Sequence, residues 1–169
     1  MRAIPLGDRA AIAYCDDEPS AVALAARATA ANPPWLHAAV PAYASVGLFF
    51  DADRIAVTDV ISWLNGGIPE GKSAELPEPK RHAIPVCYEL GPDLPHVASV
   101  TGLSVEEVIR LHSGTEYVVH AIGFVPGFPY LGYLPEPLAG VPRLESPRLR
   151  VEPGSVGITG RQTAIYPLP

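Results

Sequence analysis

Tyr117 to Pro135 reads YVVHAIGFVPGFPYLGYLP, and Val141 to Pro169 reads VPRLESPRLRVEPGSVGITGRQTAIYPLP. Short runs of β-branched and aromatic residues alternate here with glycine and proline every few positions, which predicts short strands joined by tight turns in a barrel or sandwich. Proline usage points the same way: of the 20 prolines, fourteen fall in residues 77–169. Proline fixes φ and has no N–H to donate, so this half cannot be long helix or uninterrupted central strand. Disorder is excluded by composition, since 48% of residues are hydrophobic and only 18% charged, leaving ample apolar surface to bury.

Upstream the pattern changes. IPLGDRAAIAYCDD suits a first strand or hairpin arm, and Ser20 is placed to cap a helix over Ala21 to Ala31 that Asn32-Pro33-Pro34 stops. WLHAAVPAYASVGLFFD offers two strand-like runs around Pro41, and DRIAVTDVISWLNGG reads as an amphipathic helix ending on Asn65-Gly66-Gly67. This order predicts a small α+β domain with two helices on one face of an antiparallel sheet. Ile68 to Lys80 is polar and proline-rich, a linker, which places the domains at 1–79 and 80–169. AIPVCYEL, Ala83 to Leu90, reads as a strand. GPDLPHVASVTGLSVEEVIRLHSG reads as two short helices around Thr101-Gly102-Leu103, with Ser104 and Glu107 at capping-box spacing.

Charge and cysteine content narrow the function classes. A net charge of −6 argues against a general nucleic-acid or acidic-membrane surface. Cys15 and Cys87 stand far apart and outside any CxxC pattern, as free thiols of a reducing cytosol would. The alanine-rich run Ala21–Ala31 is preceded by Asp16, Asp17 and Glu18 and broken by Arg27, unlike a secretory leader. No apolar run reaches the ~20 residues of a membrane span. The chain reads as soluble and cytoplasmic.

Several local motifs fail on context. Gly66 to Ser73, GGIPEGKS, matches the P-loop pattern GxxxxGK[ST], but a helix precedes it and Pro77 and Pro79 follow where the phosphate-cradling helix should start. The helix pair over Asp93–His112 imitates a helix-turn-helix, yet its second helix offers Glu106 and Glu107 with one arginine, a poor match to phosphates and base edges. None of the five histidines shows HxxxH or HExxH spacing, so no metal site is expected. Ser155 in GSVG is no nucleophile elbow, because Pro153 stands where that motif needs glycine.

Two features of the second half remain. From Leu138 onward Arg143, Arg148, Arg150 and Arg161 face only Glu145 and Glu152, a local positive surplus in an acidic chain. Guanidinium forks bind carboxylate or phosphate bidentately, so these arginines either hold a small anionic ligand or solubilise a rim. Phe124, Phe128, Tyr130 and Tyr133 lie among glycines and prolines on one stiff loop, and either close a core or line a groove.

The runs IPVCYELGPDL, TGLSVEEVIRLHSGTEYVVHAIGFVPGFPYLGYLP and PRLESPRLRVEPGSVGITGRQTAIYPLP resemble the allophanate hydrolase subunit 1 / KipI family over residues 80–169. That family includes the B subunit of ATP-dependent 5-oxoprolinase, an inhibitor of a sporulation histidine kinase, and a carboxyltransferase subdomain of urea carboxylase. The resemblance implies an α+β N-terminal domain followed by a mainly-β cyclophilin-like barrel domain. It implies work beside a larger homologous subunit 2 (the C component of 5-oxoprolinase) and a LamB-like A component, with ATP as cofactor, in opening 5-oxoproline to glutamate. A kinase-inhibitor role and a role in urea metabolism are the alternatives. The site residues it implies are Phe124, Phe128, Tyr130, Arg143, Arg148, Ser155 and Gln162 for a small anionic substrate, with His112 the one candidate proton shuttle. Three departures stand out. Family members continue past the IYP motif, so the barrel is expected to be cut short at its C-terminal end; Ala44 replaces a common arginine; and Thr159 replaces an alanine, its hydroxyl free to bond backbone.

Overall fold

A computed structural model describes residues 1–69 and 78–168. The chain forms two compact units, Met1–Lys80 and Arg81–Pro169. Most of the P-loop-like motif falls outside the described residues. Its described start, Gly66 to Pro69, follows directly on the C-terminal end of a helix.

In the first unit β1 (Arg2–Pro5) and β2 (Ala10–Tyr14) form a hairpin, followed by α1 (Glu18–Ala31), β3 (Leu36–Ala42), β4 (Ser45–Phe50) and α2 (Val57–Asn65). The sheet is antiparallel in the order β1-β2-β4-β3. Alternation along β4 buries Val46, Leu48 and Phe50, each at 0–1% exposure, against Ala11 and Ala13 of β2. Helix α1 meets them with Ala21, Leu24, Ala25 and Ala28, the i, i+3, i+4, i+7 stripe of an amphipathic helix, and α2 adds Val60 and Leu64. Small residues in β2 and α1 let helix and sheet approach closely. Each fully buried leucine or phenylalanine here contributes roughly 2–3 kcal/mol.

Two local expectations need correction. The cap of α1 is Asp17, whose Oδ1 accepts from the Ser20 amide at 2.8 Å, because Pro19 fits the first helical turn, where no N–H is required. The β3–β4 turn lies at Tyr43-Ala44 and not at Pro41. Pro41 sits inside β3, which tolerates it as an edge strand.

The second unit contains α3 (Leu94–Thr101), α4 (Val105–Ser113), β5 (Val118–Ile122), β6 (Pro129–Gly132), β7 (Val156–Thr159) and β8 (Gln162–Ile165). The capping box is present: Ser104 Oγ accepts from the Glu107 amide at 3.2 Å and Glu107 Oε2 from the Ser104 amide at 2.8 Å. Ala83 to Leu90 forms no strand. It runs irregularly into a 3-10 turn over Tyr88–Leu90, with Ile84 and Val86 exposed, because Pro85 breaks the ladder and no described strand lies beside it. Nor do the described residues close a barrel. Four strands of four or five residues make an open antiparallel sheet, β5-β6-β8-β7, too few and too short to curl round on themselves. Beneath it Val97, Ala98, Val108, Leu134, Leu138 and Val141 form a second core with Ile158 packed on it.

Candidate functional site

Register decides which side chains of the second sheet share a face, because residues directly opposite on neighbouring strands point the same way. Leu131, Thr163 and Ile158 form one row; Tyr130, Ala164 and Gly157 the next; Gly132, Gln162 and Thr159 the one after. The ladder extends one step further at each hairpin: the Tyr166 amide donates to Ser155 O at 2.9 Å and the Gly123 amide to Phe128 O at 3.1 Å. Ile158 and Thr163 therefore face the helices. The opposite face collects Phe128, Tyr130, Ser155, Gln162 and Tyr166 over two glycines, Gly132 and Gly157. Gly157 has a structural reason: a Cβ there would lie 3.4 Å from the Tyr166 ring.

The aromatic groups form a connected set. Phe128 is 5% exposed and meets Tyr130 and Tyr166 edge-on, both with ring centroids 5.0 Å away, and Phe124 at 5.6 Å. Such edge-to-face pairs add about 0.5–1.5 kcal/mol beyond burial. The loop carrying them turns where the Phe128 amide donates to Val125 O at 3.1 Å, with Pro126 second and Gly127 at φ +82° third, the arrangement of a type II turn. Phe124 stands at its tip, 78% exposed and at φ +66°. Phe128 is thus the core member and Phe124 the solvent-facing one, a division the loop sequence left open.

The arginines do not join this face. Arg143 and Arg148 lie in the irregular segment that leaves Val141 and returns at Gly154. Arg148 already holds a carboxylate: its two terminal nitrogens donate to Asp93 Oδ2 and Oδ1, each at 2.7 Å, which holds the Asp93 carboxyl below its ordinary pKa. Arg150 pairs with Glu152 at 3.0 Å, and the Arg161 guanidinium sits 4.4 Å from the Tyr133 ring centroid. Arg143 alone of the four has no partner among the described residues. The added hydroxyl of Thr159 donates to Val141 O at 3.3 Å, the backbone bond anticipated for it.

His112 is 9% exposed, and the network around it has a direction. Thr163 Oγ1 donates its one hydrogen to Gly157 O at 3.1 Å, so it accepts from His112 Nε2–H, also 3.1 Å away. Nδ1 is then left as the acceptor for the Tyr88 hydroxyl at 2.6 Å. Burial pushes the imidazole pKa down and the Tyr88 phenol up, both favouring these neutral forms. Both ring nitrogens are thus bonded within the protein, and the hydrogen-bond series ends on a backbone carbonyl. It ties α4 and the Tyr88 turn to the β7–β8 hairpin. Thr163, Tyr88 and Asp93 are the residues that sequence reasoning missed. Only Thr163 had a local signal, as the neighbour of Gln162 that alternation must send to the other face.

Among the described residues no group of three His, Cys, Asp or Glu side chains is placed to hold a metal ion, and no helix is long and apolar enough to cross a membrane. A separate open pocket of about 270 Å³ lies in the first unit, lined by Met1, Cys15, Asp16, Ser20, Leu24 and Arg27. None of the residues expected at the site reaches it.

The family model described as "Carboxyltransferase domain, subdomain C and D" matches residues 1–169. The B subunit of 5-oxoprolinase from Bacillus subtilis (strain 168) is 41% identical across 76% of this chain and 58% of its own length. Its namesake in Escherichia coli O157:H7 is 46% identical across 77% of this chain and 60% of its own. The chain thus spans about three-fifths of these relatives. Among solved structures, TTHA0988 superimposes with a TM-score of 0.74 at 37% identity, covering 95% of this chain and 32% of that one.

Proposed function

Because the chain belongs to the carboxyltransferase-domain family of subdomains C and D, we propose that it serves as the B component of a 5-oxoprolinase, an enzyme complex that opens 5-oxoproline to glutamate. One observation carries the chemistry: a single sheet face collects three aromatic rings, a serine hydroxyl and a primary amide over a glycine floor. A five-membered lactam is small, flat and amphipathic, and suits such a surface. As water adds across the amide C–N bond, negative charge develops on the lactam oxygen. Gln162 Nε2–H is a donor on this face for that charge, and Ser155 Oγ–H lies two rows further along the sheet. Phe128, Tyr130 and Tyr166 exclude bulk water from it. Arg143, with no carboxylate of its own, and Arg148 stand on the 142–153 segment, off this face, and would meet the substrate carboxylate as that segment moves toward it. His112 bonds Thr163 on the helix side of the sheet, away from this face, so we give it no part in the step above.

ATP supplies the driving force for opening an unstrained amide, and the described residues do not cradle its phosphates. Helix α2 meets Gly66 with its C-terminal end, where the dipole is negative. We therefore assign nucleotide binding to the larger assembly with the A and C components. The outer strands β5 and β7 are where further strands would add to make this sheet part of a cyclophilin-like barrel. In this reading the complex works in the cytoplasm.

The test reconstitutes the protein with its A and C partners and follows glutamate formation from 5-oxoproline and ATP. Gln162→Ala should lower kcat by about 10²-fold, as loss of one donor to a developing oxyanion does, while leaving thermal stability unchanged. Absence of turnover with any partner set, together with inhibition of a histidine kinase's autophosphorylation, would overturn the reading.

A further inference from the structure

The segment Pro142 to Pro153 is held at its ends and at one point between. At one end Val141 bridges Gly160, with the Gly160 amide donating to Val141 O at 2.8 Å; at the other the Gly154 amide donates to Tyr166 O at 2.6 Å. Between them, among the described residues, the bidentate bond of Arg148 to Asp93 is the one tie to another part of the unit. Apolar burial is confined to the half-buried Val151 near the far end, with Leu144 exposed and Leu149 wholly so. Asp93 is also free to leave. It precedes α3 yet makes no side-chain bond to that helix's amides, unlike Asp17 and Ser104 at their own helices.

We propose that Asp93 is an internal stand-in for a ligand carboxylate, and that a small carboxylate displaces it from Arg148 and releases the 142–153 strap. The inference rests on reading Arg148 as a carboxylate-binding residue. Two parallel N–H···O bonds at 2.7 Å are the geometry in which any planar carboxylate takes a guanidinium fork. The side chains are 44% and 42% exposed, so solutes reach the pair. An exposed ion pair is weak, and a ligand with further contacts can replace it. Once Arg148 has changed partner, nothing else described holds the middle of the strap, and Arg143 moves with it.

The experiment needs neither ATP nor turnover. Backbone 15N order parameters of the strap are measured on the full protein with acetate, 5-oxoproline, neutral 2-pyrrolidinone or inorganic phosphate, at matched ionic strength. Acetate and 5-oxoproline should lower them saturably, and 2-pyrrolidinone should not. Asp93→Asn should have a loose strap without ligand and bind 5-oxoproline up to about five-fold tighter, the competition expected from one exposed pair. Arg148→Gln should free the strap and abolish the ligand response, with far-UV circular dichroism confirming the fold of both variants. Unchanged or weaker binding by Asp93→Asn, a more ordered strap with carboxylate, or a phosphate response equal to that of 5-oxoproline would overturn the proposal. Strap release by acetate in a protein whose reconstituted complex does not turn over 5-oxoproline upholds the latch and overturns the oxoprolinase reading alone.

Discussion

Coupling between His112 and Thr163 is the sharpest consequence of the directional network, and a double-mutant cycle measures it. Replacing His112 by Phe keeps ring volume but removes the Nε2–H donor to Thr163 and the Nδ1 acceptor for Tyr88. At about 1 kcal/mol net per bond, the loss is about 2 kcal/mol. Thr163→Val strands a buried imidazole N–H and leaves the Gly157 carbonyl without its donor, costing about 2–3 kcal/mol, since Thr163 is 2% exposed. In the double variant the stranded N–H no longer exists, so the combined loss should fall short of the sum by about 1 kcal/mol. The readout must report on the second unit. Trp35 and Trp63, the two tryptophans, lie in the first unit in edge contact, so fluorescence follows the wrong half. Hydrogen exchange of α4 and β8 amides under increasing urea is the suitable measurement. Additivity within about 0.3 kcal/mol would refute this order of donors and acceptors.

The same histidine makes stability depend on pH. Burial lowers its folded pKa below the ordinary value of about 6.5, so the unfolded chain binds a proton that the folded one refuses. Stability is complete above that value and falls as pH drops from it toward the lower folded pKa. Urea midpoints of second-unit exchange should decline over that window in the parent and stay flatter in His112→Phe; equal slopes would remove His112 as the cause. In the first unit, Asp17→Ala removes the cap on the Ser20 amide and should cost about 1 kcal/mol, read as a lower midpoint in tryptophan fluorescence. Gly127→Ala forces a side chain into φ +82° although its Cβ would clear Pro167 at 3.7 Å, so about 1 kcal/mol of backbone strain should appear in thermal melts of the second unit without a packing penalty.

Local chemistry made much of the fold legible. The capping box at Ser104 and Glu107 and the stop at Asn32 each depend on residues a few positions apart, and each is present. Where local signals competed, reading failed. Asp17 outranked Ser20 because proline is welcome in a helix's first turn, and Ala83–Leu90 stayed irregular because a strand exists only where a neighbour accepts its hydrogen bonds.

The site divides along the same line. Sequence by itself determined that aromatics, glycines and prolines would make a stiff loop, and that arginines would gather in the last third of the chain. Only the tertiary structure decided that Phe128, Tyr130, Ser155 and Gln162 share one face, since that follows from strand register. It also decided that Arg148 is held by Asp93 across 55 residues and His112 by Thr163 across 51. Hydrophobic period and turn chemistry are written in neighbouring residues, whereas the partner of a charge or a buried imidazole is set by which distant segments the core brings within about 3 Å. No local pattern encodes that distance.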